Sequence, residues 1–425
     1  MEWTTYKEWG ERVFRRILPN GLTVAVIPRP GFQKKLAYFV TDFGSIHTRF
    51  RLEGREMEVP AGVAHYLEHK MFDLPRGEVS AEFAALGANP NAFTGYDMTA
   101  YYFSCTDHFE ESLHLLLEFV STPYFTEESV EKEQGIIGQE IDMTADSPES
   151  RIFELLMENM YREHPVRIPI LGTKESVSGI TPQVLYDCHR AFYTPANMML
   201  CVMGDVDPEQ VCSIARQVLG DEVRPTAEKI PMPAEELTCP VQEQTVKMKV
   251  AMPMFQIGFK CERAAKGDDT VRQEIVGDLA AEVLFGESSE LYLRLYEDGI
   301  IDSAFGGGFE TISGMGMLSA SGDSEEPMAV RDAILAQAKI VAEQPIPEED
   351  FLRMKRSTLG RRIRDLDSFD STCFRLCAYH LDGFDYFRFP ELFAAVSEEE
   401  VRQFIRMAVK EEHCSICIIE PDEET

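Results

Sequence analysis

Apolar and polar positions alternate in some stretches of the chain and recur at helical spacing in others. Alternation predicts strands at residues 23–28, 36–40, 92–104, 197–204 and 414–419. Helical spacing predicts helices at 60–72, 80–86, 108–122, 126–146, 183–192, 209–219 and 398–410. Both strands and helices occur along the whole chain, and we predict an α+β fold.

The end of the chain repeats the end of its first half. A helix at 398–410 followed by a strand at 414–419 resembles the helix at 183–192 followed by the strand at 198–203. Between these halves, four prolines fall within 18 residues that have few periodic apolar positions, which is typical of a linker. We predict two similar halves, each a mixed, largely antiparallel sheet covered by helices, with domains at 1–223 and 242–425 and a linker at 224–241.

The amino-acid composition restricts the classes of molecule that the protein is expected to bind. Acidic residues number 73 against 41 basic ones, and the net charge of −32 repels phosphate backbones and anionic lipids. No run of about 18 apolar residues occurs, and the first residues lack a basic segment followed by an apolar one. We therefore expect a cytoplasmic protein with no nucleic acid or membrane partner. The acidic surface either serves solubility or suits basic peptides.

The predicted helix at 60–72 contains the pentad His65-Tyr66-Leu67-Glu68-His69. Residues four apart lie about 40° apart around a helix axis, so His65 and His69 can present their imidazoles to one metal ion. Glu68 flanks the same face and is placed to act as a general base. The alternative is that both histidines merely lie on a polar helix face, since such a pentad arises by chance in roughly one chain in fifty.

A catalytic zinc site needs a third protein ligand. The acidic helix predicted at 126–146 carries Glu133 and Glu140 seven residues apart, which places both on one helical face. Two carboxylates on one face can supply a ligand and a neighbour that orients an imidazole. From spacing alone, either carboxylate could equally be solvated.

Three segments, at 65–72, 87–94 and 130–140, together resemble the pitrilysin/insulinase family of inverted-motif zinc peptidases. The resemblance runs through nearly all of the chain. It implies Zn²⁺ as the cofactor, with His65, His69 and Glu140 as its ligands. It also implies that Glu68 is the general base and that Glu133 is the carboxylate that supports the metal site.

The resemblance gives a further role to residues that otherwise only predict a strand. In this family the corresponding edge strand pairs with an extended peptide, a form of β-augmentation. Asn91, Ala92 and Phe93 are therefore implied to contact a peptide substrate. Backbone pairing of this kind accounts for loose side-chain specificity.

One part of the family pattern is missing. Active members need an Arg and Tyr pair from a C-terminal domain, and the matching stretch here is residues 289–303. Tyr296 occupies the Arg position and Asp302 the Tyr position, while Arg294 is either a substitute or an exposed helix residue. The family chamber also needs four half-domains, and this chain supplies two.

These features predict a zinc metalloendopeptidase that hydrolyses peptides, or processes a peptide precursor, in a chamber formed with a second subunit. The resemblance to two-chain bacterial members implies a heterodimer whose partner supplies the Arg and Tyr pair, with a homodimer as the other arrangement. The alternative function is a catalytically silent binding or core subunit of a peptidase-like complex.

Overall fold

The computed structural model describes residues 2–422. Its strands are β1 (Trp3–Tyr6), β2 (Glu11–Ile17), β3 (Thr23–Pro28), β4 (Lys35–Thr41), β5 (Arg49–Leu52), β6 (Arg55–Glu58), β7 (Asp73–Leu74), β8 (Gly77–Glu78), β9 (Asn89–Thr94), β10 (Thr99–Cys105), β11 (Met198–Gly204), β12 (Glu228–Lys229), β13 (Glu243–Met248), β14 (Met254–Cys261), β15 (Gly306–Ile312), β16 (Met315–Asp323) and β17 (Cys414–Pro421).

The helices are α1 (Val63–Met71), α2 (Ser80–Ala85), α3 (Phe109–Ser121), α4 (Glu127–Ala145), α5 (Pro148–Met160), α6 (Lys174–Ser178), α7 (Pro182–Phe192), α8 (Pro208–Leu219), α9 (Asp268–Phe285), α10 (Glu290–Glu297), α11 (Pro327–Glu343), α12 (Glu348–Arg364), α13 (Phe369–Leu381), α14 (Phe389–Ala395) and α15 (Glu398–Ala408). The predicted α+β class is confirmed. Among the described residues, no helix combines the length and apolarity needed to cross a bilayer, and the cytoplasmic location stays a prediction.

The first sheet has the strand order β1-β2-β3-β11-β4-β10-β9. Strand β11 is parallel to β3 and antiparallel to β4, and all the other pairs in this sheet are antiparallel. Every residue of β11 is buried, which explains its unbroken apolar sequence Met-Met-Leu-Cys-Val-Met-Gly. Strand β9 lies at the edge of the sheet and pairs only with β10.

The second sheet has the order β13-β17-β14-β16-β15. Strand β17 is parallel to β13 and antiparallel to β14, and the remaining pairs are antiparallel. This repeats the order and directions of β3-β11-β4-β10-β9 in the first sheet. In both sheets the last strand along the chain is inserted between two earlier ones, so the predicted pair of similar halves is confirmed.

The chain divides into two compact units that are not consecutive in sequence. Among the described residues, unit 1 comprises 2–141, 169–231 and 366–381, and unit 2 comprises 142–168, 232–365 and 382–422. Each unit thus includes one segment from the other half of the chain: α5 belongs to unit 2 and α13 to unit 1. The sequence contains no local signal for this exchange, and the domain boundaries at 223 and 242 stay a prediction.

The predicted linker at 224–241 is anchored in both units. In unit 1, β12 pairs with β5. In unit 2, the carboxylate of Glu235 accepts hydrogen bonds from the backbone N–H groups of Arg162, Glu163 and His164, at 2.5 to 3.3 Å. The buried ammonium of Lys260 lies 3.5 Å from the same carboxylate. The predicted linker is therefore held in place by contacts in both units.

Helix α1 is buried on almost every side. Its apolar residues Tyr66, Leu67 and Met71 are fully buried in the core of unit 1. It begins after Gly62, which has a φ of 89° and whose missing Cβ would lie 2.3 Å from the carbonyl oxygen of Leu171. Only glycine satisfies both conditions. The close approach fixes where the helix starts, and with it the direction in which its polar residues point.

Candidate metal and active site

His65 and His69 lie one turn apart on α1, with their ring centroids 4.6 Å apart. Both rings face Glu140 on α4. The Nε2 atom of His65 is 3.7 Å from Oε1 of Glu140, and the Nε2 atom of His69 is 3.7 Å from Oε2. The helical spacing read from the sequence thus brings these three side chains together in unit 1.

The spacing of these donors fits a metal ion. One ligand atom from each of the three side chains lies within 4.8 Å of the others, and no other such group of His, Cys, Asp and Glu donors occurs among residues 2–422. Tetrahedral zinc, with ligand distances near 2.1 Å, separates neighbouring ligand atoms by about 3.4 Å. At 3.7 Å the imidazoles are too far from Glu140 for good hydrogen bonds. The side chains are therefore spaced around a gap of the size that zinc requires.

The two imidazoles differ in their electrostatic surroundings. Burial, together with the charge of His69, lowers the pKa of His65 to about 3, which keeps a lone pair available at neutral pH. Burial also lowers the pKa of His69, but its hydrogen bond to Glu133 and the nearby carboxylates of Glu68, Glu133 and Glu140 raise that pKa more, so the net shift is upward. The site as a whole attracts positive charge.

Glu133 orients one of the imidazoles. Its Oε1 atom accepts a hydrogen bond from Nδ1 of His69 at 3.1 Å, and its side chain is only 14% exposed. A proton held on Nδ1 leaves the Nε2 lone pair pointing towards Glu140. Glu133 lies on the face of α4 that carries Glu140, and its supporting role stays a prediction.

Glu68 is held by a residue to which the sequence reasoning assigned no role. The hydroxyl of Thr94, the last residue of β9, donates a hydrogen bond to Oε2 of Glu68 at 2.5 Å. Burial raises the pKa of Glu68, while Thr94 and His69 act against that rise. Strand periodicity could have found this contact, because Thr94 shares a face with Ala92, which packs against the core of unit 1.

The peptide-binding residues predicted from the family lie on the edge strand β9. The N–H of Gly95 donates to the carbonyl of Met98 at 2.8 Å, and the alternation of an antiparallel ladder then turns the N–H and C=O of Ala92 towards the open edge. That N–H is satisfied by the side-chain oxygen of Asn91 at 2.9 Å. Phe93 faces the other side of the sheet, 5.7 Å from Phe374 on α13 between ring centroids.

The residues predicted from the sequence to stand at the family's Arg and Tyr positions belong to unit 2. Tyr296 is exposed on α10 and stacks on Tyr292 at 5.8 Å between centroids, and Arg294 is exposed on the same helix. Asp302 accepts a hydrogen bond from the N–H of Ala304 at 2.7 Å. Neither of these two contacts resembles a preformed anion-binding arrangement.

An α+β fold of two matching halves, with an inverted His-x-x-Glu-His motif and a downstream glutamate within reach, defines the class of HxxEH metallopeptidases. Residues 54–174 match the family model described as insulinase, peptidase family M16, and residues 179–358 match the model described as the peptidase M16 inactive domain. The chain is 36% identical over 98% of its length, and over 98% of the relative, to the uncharacterized zinc protease YmfH of Bacillus subtilis.

Comparison with solved structures indicates the same family. An M16-like peptidase from Alicyclobacillus acidocaldarius superposes with a TM-score of 0.93 at 32% identity, covering 97% of this chain and 99% of that one. Pitrilysin, at 17% identity and a TM-score of 0.79, shares the fold over 99% of this chain and 47% of its own. The chain belongs to the insulinase family, peptidase family M16. The resemblance read from the three sequence segments is thus confirmed.

Proposed function

We propose that this protein is a zinc metalloendopeptidase, with His65, His69 and Glu140 as the metal ligands. The observation that carries the proposal is the convergence of these three donors, with Glu68 beside them, in the only such group among the described residues. The names of the relatives support a protease at the level of the family. Zinc at this position would acidify a water molecule and polarise the scissile carbonyl.

The protein's own residues supply the remaining steps. Glu68 takes a proton from the attacking water and delivers it to the leaving amine, and the hydroxyl of Thr94 holds the carboxylate in place. Glu133 keeps the proton of His69 on Nδ1, so that Nε2 stays available as a ligand atom. Burial keeps His65 neutral, as a ligand must be.

The test of this activity compares the wild type with Glu68→Gln, which retains the shape of the side chain and loses the base. We expect about one zinc ion per chain in both proteins, and at least a hundredfold lower cleavage of a quenched peptide pool by the variant. Equal cleavage by both proteins would exclude Glu68 as the base. A wild type that binds no zinc would exclude the metal site.

We further propose that an extended peptide binds by pairing with β9 at Ala92, where it replaces the side chain of Asn91 as the hydrogen-bond partner of the outward-facing N–H. Ala92→Pro removes this outward N–H without removing a bond between β9 and β10. We expect KM for peptides to rise several-fold while zinc content is unchanged. Ala92→Ser, which retains the N–H, serves as the control, and equal KM values for the two variants would contradict the pairing.

We also propose that a second, similar subunit completes the chamber as a heterodimer and supplies the Arg and Tyr that Tyr296 and Asp302 replace here. The exposed positions of these two residues support this idea. Co-purification of the native chain should recover the partner, and the complex should cleave peptides far faster than the chain alone. Full activity of an isolated monomer or homodimer would contradict the proposal.

A silent binding subunit is the second candidate, favoured by the match of residues 179–358 to the inactive-domain model. The intact set of two histidines, general base and glutamate speaks against it. The observation that would favour the silent subunit is a full complement of zinc without any cleavage that depends on Glu68, even when the partner is present.

A further inference from the structure

Lys70 is a buried cation directly after the second histidine of the motif. Its side chain is only 1% exposed, although lysine is among the residues least often buried. The ammonium binds the carboxylate of Asp73, lies 3.4 Å from the backbone oxygen of Ser129 and 3.8 Å from Oε2 of Glu133. A buried ammonium is stable only with such partners.

The carboxylate of Glu133 is shared between two partners. Its Oε1 atom accepts the hydrogen bond from His69, while its Oε2 atom faces Lys70. Contacts at both oxygens fix the plane of the carboxylate and not only its distance from the imidazole. Without Lys70, one oxygen of Glu133 would lose its counter-charge and the carboxylate could rotate away from His69.

Next to Lys70, Tyr66 docks the first turn of α4 onto α1. Tyr66 and Lys70 are four residues apart and share a face of α1, turned away from that of His65 and His69. The hydroxyl of Tyr66 donates to the backbone oxygen of Val130, the neighbour of Ser129 in the first turn of α4. This hydrogen bond therefore holds the beginning of the helix that carries both Glu133 and Glu140, and Lys70 contacts Glu133 within that docked arrangement.

We propose that Lys70 is a positioning residue for the metal site, which acts by fixing Glu133 against His69. The inference rests on the proposed zinc site and extends it beyond the ligands and their direct neighbours. It differs from a purely structural ion pair in one measurable respect: loss of Lys70 should weaken metal binding through Glu133, and not merely destabilise the fold.

The test measures the Zn²⁺ dissociation constant by competition with a chromophoric chelator, in the wild type, Lys70→Met, Glu133→Gln and the double variant. Loss of a residue that orients a ligand typically weakens metal affinity ten- to hundredfold, so we expect each single variant to bind Zn²⁺ at least about tenfold more weakly. Because Lys70 acts through Glu133, the double variant should bind no more weakly than Glu133→Gln alone. The visible absorption spectrum of bound Co²⁺ should change in the same variants.

Lys260→Met is the matched control, because Lys260 is another lysine with 1% side-chain exposure and a glutamate partner, Glu235, in unit 2. It should lose stability but bind Zn²⁺ as the wild type does. The inference is overturned if Lys70→Met binds within twofold of the wild type, or if the losses in the double variant multiply.

Two further outcomes remain decisive. If Lys70→Met does not fold, the double variant, which removes both charges, is compared with Glu133→Gln: equal affinities support the inference and a further loss overturns it. If the wild type itself binds no Zn²⁺, the proposed function fails and this inference fails with it. Zinc binding by the wild type that Lys70→Met leaves unchanged overturns only the role of Lys70.

Discussion

Helix α1 of unit 1 and helix α9 of unit 2 follow the corresponding strands β4 and β14, yet they bury different side chains. Helix α1 buries His65, Glu68 and Lys70. Helix α9 buries mainly apolar residues, with Thr270 as its buried polar side chain. The strand order that the two units share therefore does not determine whether the helix buries polar side chains.

The contact between each helix and its edge strand differs in the same way. In unit 1 the hydroxyl of Thr94 on β9 meets the carboxylate of Glu68. In unit 2 the ring of Phe309 on β15 fills the space above Gly277 of α9, where a Cβ would lie 2.1 Å from the ring. Unit 1 therefore has polar groups at the contact between helix and edge strand, whereas unit 2 has an aromatic ring there.

The largest expected effect is the loss of metal binding in unit 1. Glu140→Gln should weaken Zn²⁺ binding more than about a hundredfold, which is the upper end of what loss of a ligand's neighbour costs. The control is Glu131→Gln, an exposed glutamate on the same helix, which should bind zinc normally. Measured by chelator competition, similar affinities for the two variants would show that Glu140 is not a ligand.

The second effect is a loss of packing in unit 2. Gly277→Ala places a methyl group against Phe309 and should lower the free energy of unfolding by about 2 kcal/mol. Gly135→Ala on α4 meets no atom within 4 Å and should be neutral or stabilising by up to about 1 kcal/mol. Denaturant unfolding of both variants checks the contrast, and equal stabilities would contradict it.

The third effect, a dependence of stability on pH, should appear in both units. Burial, with Arg263 and Lys260, lowers the pKa of His164 in unit 2 to about 4, against the opposing influence of Glu235. Because the pKa of His164 in the folded protein lies below its unfolded value near 6.5, its contribution to the free energy of unfolding is complete above pH 6.5. That contribution is lost as the pH falls towards 4. At pH 5 the loss should be about 2 kcal/mol.

Burial likewise lowers the pKa of His189 in unit 1 to about 4. Denaturant unfolding at pH 7 and pH 5 should therefore show a smaller decrease in stability for His164→Gln and for His189→Gln than for the wild type. If both variants lose as much stability as the wild type, the histidines are not the source of the pH dependence.

The smallest expected effect concerns the hydrogen bond between Thr94 and Glu68 in unit 1. Thr94→Val keeps the shape of the side chain but removes the hydrogen bond to Glu68, and should lower kcat/KM about tenfold without changing zinc content. Thr94→Ser should restore most of the activity. The matched change in β15, Thr311→Val, should leave kcat/KM within twofold. A Thr94→Val enzyme as active as the Thr311→Val enzyme would remove the functional distinction between the two edge strands.

Features that depend on local spacing were accessible from the sequence. The positions of His65, Glu68 and His69 on one helix, and of Glu133 and Glu140 on another, follow from helical periodicity, and both helices form at the predicted places. The repeated ending of a helix and a strand correctly indicated two halves, because β11 and β17 occupy the same place in their sheets.

Features that depend on distant contacts were not accessible. The burial of Lys70 requires the first turn of α4 to lie against α1, some 60 residues away in sequence. The anchoring of Glu235 requires three N–H groups that point together at residues 162–164. Composition at 224–241 predicted only a linker, since proline content carries no information about a partner elsewhere in the chain.

The place of α13 in unit 1 has a consequence for the order of synthesis. Cys201 on β11 meets Cys373 and Cys377 of α13 thiol to thiol, and all three are fully buried. During translation, this face of β11 leaves the ribosome long before the helix that covers it. The two histidines of the motif are synthesised early, but this face of the sheet in unit 1 is covered only after nearly the whole chain has been synthesised.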